Sequence, residues 1–83
     1  MKIGIYAIRD AKTEIFSQPM YFVTPGVAIR TFGDEVENSN SNLSKHPEDY
    51  AMFKIGTFDD NTGAIEQEPQ PLQIALAMDF KKA

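Results

Sequence analysis

The stretch from residue 47 to 63, PEDYAMFKIGTFDDNTG, constrains this chain more than any other. Residues 50–58 carry apolar and aromatic side chains at both parities, which predicts a strand with such groups on both faces. Asp59, Asp60, Asn61, Thr62 and Gly63 follow. These residue types favour turns and tolerate positive φ. Residues 64–68 read as a second, shorter strand, so the segment predicts a β-hairpin. Within it, Phe53, Ile55 and Thr57 are the residues expected to pack on a helix.

Upstream, KIGIYAIR over residues 2–9 reads as the first strand. Ile3, Ile5 and Ala7 fall on one face, and Lys2, Gly4, Tyr6 and Ile8 on the other. The first set is the expected core face. Residues 10–13 read as a turn. Residues 14–16 and 19–23 are two extended pieces broken at Ser17-Gln18-Pro19. Pro19 has no N–H to give a ladder, which places this strand at an edge or a bulge.

Thr24 suits a helix N-cap, and Pro25 suits the first helical position, where its missing N–H is not needed. The helix is expected to reach about Glu37. Ile29, Phe32, Gly33 and Val36 recur at helical spacing as one apolar stripe, with Arg30, Asp34 and Glu37 facing water. Its late acidic residues oppose the macrodipole and predict a frayed end. A polar mobile loop is expected at about 38–46, with Leu43 as its one apolar anchor.

Residues 66–71 carry Pro69 and Pro71 and read as a linker. Residues 72–80, LQIALAMDF, admit two readings. Leu72, Ile74, Leu76 and Met78 alternate as in a strand, while the residue types and Pro71 suit a helix. The period favours the strand. Lys81, Lys82 and Ala83 are expected to form a solvated tail. The whole reads as one domain over residues 1–83 of the α+β class, an antiparallel β-sheet with one helix packed on one face.

A chain of 83 residues buries only about 60 % of its unfolded surface, so a homodimer is the expected way to complete its core. It has no cysteine, which excludes disulfides and thiolate metal sites. No apolar run nears the roughly 18 residues of a membrane span, and Lys2 alone does not make a signal peptide. No membrane association is expected, and the absence of cysteine fits a reducing cytoplasm. The net charge of −4 argues against indiscriminate binding to phosphate backbones, which needs clustered cations.

Little here suits catalysis. His46 is the single histidine, and a catalytic or metal role would need a second His or a Cys nearby. It reads as a surface residue. Asp59, Asp60 and Asn61 with Gly63 resemble a calcium loop only loosely, because the acidic ligands are adjacent rather than alternate. Turn formation explains them. The serines lie in polar loops and the five glycines are scattered, so no nucleophile setting or phosphate loop emerges. The chain is not expected to be an enzyme, to hold a metal or to need a cofactor.

One constellation suggests binding. If residues 2–9 pair with residues 50–58, Lys2, Gly4 and Tyr6 stand beside Lys54, Gly56 and Phe58. Aromatic rings and lysines on an open sheet suit base stacking with phosphate neutralisation. Arg9, Lys12 and Arg30 could extend the positive strip. The same rings could instead fill a dimer interface or a second small core.

YAIRD near the start, AIRTF in the helix, PEDYAMFKIGTFDDNTG and a proline-bearing linker follow in that order. This set resembles the small non-structural protein of gokushoviruses, the microvirus phages with single-stranded circular DNA genomes. Pro47-Glu48-Asp49-Tyr50, Ile55-Gly56-Thr57-Phe58-Asp59 and Thr62-Gly63 carry it most specifically. The resemblance implies a DNA-binding protein that helps turn replication toward single-stranded genome synthesis for packaging, in the host cytoplasm. It implies no catalytic residues. Lys2, Tyr6, Arg9, Lys12, Lys54 and Phe58 are the candidate contacts to single-stranded DNA, the cations for phosphates and the rings for bases. The alternative is an adaptor that recruits a phage replication or capsid-assembly protein without touching DNA.

Overall fold

The computed structural model describes residues 1–80; the expected tail, residues 81–83, lies outside the described residues. A five-stranded antiparallel sheet carries one long helix on one face. Strand β1 (Lys2–Asp10) lies in the middle and pairs with β4 (Tyr50–Asp59) on one side. On its other side it pairs with β2 (Ile15–Phe16) and β3 (Met20–Phe22), two pieces of one interrupted strand. Strand β5 (Ile65–Leu76) pairs with β4 and forms the far edge.

The interruption between β2 and β3 falls at Ser17-Gln18-Pro19, as the sequence predicts. Ser17 stands in for the missing ladder there. Its N–H donates to the Ile8 carbonyl at 2.7 Å, and its Oγ accepts from the Ile8 N–H at 2.9 Å. The β4–β5 turn also follows its residue types. Asp59 Oδ1 accepts from the Asn61 N–H at 2.9 Å, and Gly63 takes φ 77°, a conformation glycine adopts without a Cβ clash.

Helix α1 (Pro25–Glu37) begins as expected, with the Val27 N–H donating to Thr24 Oγ1 at 3.2 Å. Ala28, Phe32, Gly33 and Val36 form its buried face, and Ile29 packs half-buried beside them. The expected loop at 38–46 contains a short helical turn, α2 (Asn42–Lys45), capped by Ser41 Oγ. Leu43 packs against the core, as its apolar character anticipates.

Which sheet face meets the helix is a correction. Tyr6, Met52 and Ala75 form the core with Ala28, Phe32 and Val36, and Ile8, Met20 and Phe22 pack against it. The face that includes Gly4, Tyr6 and Ile8 is therefore the helix face. Ile3, Ile5 and Ala7 point to the opposite side by strand alternation. Gly4 permits this arrangement, because the Tyr6 ring lies down over its bare backbone.

Residues 66–71 are a second correction. They belong to β5 rather than to a linker. Gly56 pairs with Gln67 and Lys54 with Leu72, so residues 68–71 arch out opposite Ile55. An edge strand tolerates Pro69 and Pro71 there, because neither needs to donate to a neighbour. The strand reading of residues 72–80 holds to Leu76. Ala77–Phe80 then form a 3-10 turn that sets the Phe80 ring 5.9 Å from Phe32, edge to face.

Candidate binding face of the sheet

The candidate contacts expected from sequence do not share one surface. From Asp10 to Tyr6, β1 pairs with β4 from Tyr50 to Lys54. Ile5 then pairs with Gly56, so Ile55 is an extra residue in β4. One extra residue exchanges the two faces of a strand relative to its partner. Lys54 thus stays on the helix side with Tyr6, while Gly56 and Phe58 turn to the open side with Ile5 and Ile3. The glycine beside Ile55 is the one faint sequence signal of this bulge.

Tyr6 is 1 % exposed and its ring sits 5.8 Å from Phe22 within the core. It is not available to stack on a base, and that part of the expectation is corrected. Lys2 and Lys54 lie on the helix side of the sheet, and Lys12 lies in the exposed turn after β1. Arg9 and Phe58 are the two candidates that the fold brings to the open face. Arg30 lies exposed on α1, across the sheet from them.

Three rings that the sequence reading did not single out as contacts join Phe58 there. Phe16 and Phe53 meet edge to face at 5.6 Å, and Tyr21 and Phe58 meet the same way at 6.3 Å. Each pair bridges strands across β1, so it exists only once the sheet has formed. The Arg9 guanidinium lies 6.0 Å from the centre of the Phe16 ring, at the limit of a cation–π contact. Ile3, Ile5, Ile55 and Ile65 fill the space between. Tyr21, Ile65 and Leu76 are strongly exposed, at 55 %, 64 % and 39 %.

Two shallow depressions cross this face. One of about 280 Å³ is lined by Ile3, Tyr21, Phe58 and Ile65. Another of about 330 Å³ includes Ile5, Tyr21, Ile55 and Gln67. A third, of about 190 Å³, gathers Arg9, Glu48, Asp49, Phe53 and Leu76 at the end nearest the Pro47–Asp49 turn. Arg9 therefore shares this depression with two acidic residues.

Tyr50 closes the β1–β4 ladder opposite Asp10. Burial pushes its phenol above the ordinary tyrosine value, and the charges of Asp10 and Asp49 and a hydrogen bond to Asp10 push the same way. Nearby, one ligand atom each from His46, Glu48 and Asp49 lies within 4.8 Å of the others. His46 and Glu48 are exposed, and His46 Nδ1 stands 4.0 Å from Glu48 Oε1. This is a solvated surface group.

A family model described as Phage ORF5 protein matches residues 3–80. The chain belongs to the Phage ORF5 protein family. Its match takes in every strand pair and the helix, so the open aromatic face is framed by elements within the matched span. No curated protein and no solved structure matches the chain. No helix among the described residues is long and apolar enough to cross a membrane.

Proposed function

We propose that this phage protein is non-enzymatic and binds single-stranded DNA on the open face of its sheet. In this reading it belongs to a gokushovirus-type microvirus and acts in the host cytoplasm, during the switch to single-stranded genome synthesis and packaging. One observation carries the reading: four aromatic rings in two edge-to-face pairs, with Arg9 beside one pair, on a sheet face that the helix leaves uncovered. Stacking on such rings contributes about 1–3 kcal/mol per base and is tolerant of sequence. Lys2, Lys12 and Lys54 would reach phosphates only from beyond this face.

The adaptor reading has its own support. Glu48 and Asp49 line the same depression as Arg9, and the chain carries a net charge of −4. Both features oppose a phosphate backbone and suit a protein partner. Titration of a labelled single-stranded oligonucleotide at several salt concentrations separates the two. Strand binding predicts affinity that falls as salt rises, with a log–log slope of roughly −0.7 per phosphate contacted. Absence of binding at low salt removes the DNA reading. A partner protein retained from infected cells after nuclease treatment then supports the adaptor.

A further inference from the structure

The open face is an exposed, largely apolar surface, and its composition and dimensions suit one cover. We propose that in the free protein it is occupied by a second copy of this chain, the two sheets stacked face to face. The inference does not depend on strand binding.

Four observations lead there. First, the face is nearly uncharged. By register its strands carry Ile3, Ile5, Phe53, Phe58 and Ile65; Arg9, against the Phe16 ring, is the charged side chain at these strand positions, and Glu48 and Asp49 line the rim at its end. Such a surface can meet its own copy with little repulsion, although the chain as a whole is acidic. Second, the dimensions allow it. The body extends 44 × 23 × 17 Å, and a side of that size is of the same order as the roughly 800 Å² per partner in a stable interface. Third, the sheet edges do not favour strand addition. The β5 edge is broken by the arch that holds Pro69 and Pro71, and the other edge is split at Pro19. Association by the face is left. Fourth, the side chains suit sheet-on-sheet packing, in which aliphatic and aromatic groups interdigitate over about 10 Å. The assembly would then run helix, sheet, sheet, helix, and would bury the half-exposed second core that one copy cannot close.

Two proposals thus compete for one face: strand binding requires the pair to open. Sedimentation equilibrium of the free chain, across concentrations from micromolar to about 0.5 mM, tests the pairing without DNA. The expected mass is twice the 9.3 kDa of one chain. Ile65→Lys and Tyr21→Lys alter exposed side chains, so the fold should survive; each is expected to weaken pairing at least tenfold. Met78→Lys, 53 % exposed and off this face, is the control and should keep the paired mass. Far-ultraviolet circular dichroism confirms that each variant is folded. A 9.3 kDa species at every concentration overturns the proposal. So does a folded Ile65→Lys and Tyr21→Lys pair that dimerises like the parent. If pairing is seen, adding single-stranded oligonucleotide should lower the protein mass toward one copy.

Discussion

The Tyr6 ring lies across Gly4 so closely that a Cβ on Gly4 would stand 2.6 Å from Tyr6 Cε2 and Oη. The two residues are on the same face of β1, two apart, and the helix closes over the pair. The glycine therefore makes a large aromatic residue compatible with the core on the helix side of the sheet.

Gly4→Ala is expected to destabilise the fold by about 1–3 kcal/mol, the usual range for overpacking a core. The ring is held on all sides and cannot swing to solvent without opening the cluster around Phe32 and Met52. Urea unfolding followed by circular dichroism measures the change. A midpoint equal to that of the parent would show that the ring is free to move.

Thr24 caps the one long helix, and the described first turn contains no acidic residue to assist it. Thr24→Ala should cost about 1 kcal/mol by leaving the Val27 N–H without its acceptor. Thr24→Ser should recover most of that. The same unfolding measurement, run on both variants, distinguishes loss of the hydroxyl from loss of side-chain packing.

Alkaline pH should unfold the protein in part through two tyrosines. Burial raises the Tyr6 phenol above its ordinary value, and burial, Asp10 and Asp49 raise that of Tyr50. The unfolded chain releases these protons first, at about pH 10. Above that point the folded state binds more protons than the unfolded one, so stability falls as pH rises. Below it the contribution is fully present. The urea midpoint of the parent should therefore drop more steeply above about pH 10 than that of Tyr6→Phe with Tyr50→Phe. Equal slopes would mean that neither phenol is held neutral by the fold.

The two kinds of aromatic residue should separate cleanly. Phe32→Ala empties the core and should cost about 3–5 kcal/mol of stability. Phe53→Ala and Tyr21→Ala act on the open face, and their main expected effect is on oligonucleotide affinity, weakened by about 1–3 kcal/mol per lost stack. Binding isotherms at one fixed salt concentration, read beside unfolding curves, check the pattern. Unchanged affinity in both open-face variants would assign these rings to protein contact alone.

Much of the architecture was legible from local chemistry. The Asp59-to-Gly63 turn, the Thr24 cap with Pro25, the stripe of Phe32, Gly33 and Val36, and the break at Pro19 each rest on a neighbour-range rule of backbone geometry or periodicity. The binding face was not legible in the same way. Phe16, Tyr21, and the pair Phe53 and Phe58 come from three separate strands, β2, β3 and β4, and no rule along the chain puts them together. Tyr6 was misplaced because both parities of β1 are apolar, so alternation alone could not say which side the helix would choose.

By itself the sequence determined the parts: where strands turn, where the helix starts, and that the class is α+β. Those features depend on φ preferences, capping groups and side-chain period, all set within a few residues. Tertiary structure alone decided which residues share a surface. A single extra residue at Ile55 exchanges the faces of β4 midway, parting Lys54 from Phe58, and the room above Gly4 draws Tyr6 inward. Both effects arise from pairing between strands distant along the chain, where the gain from packing depends on a neighbour that local propensity does not encode.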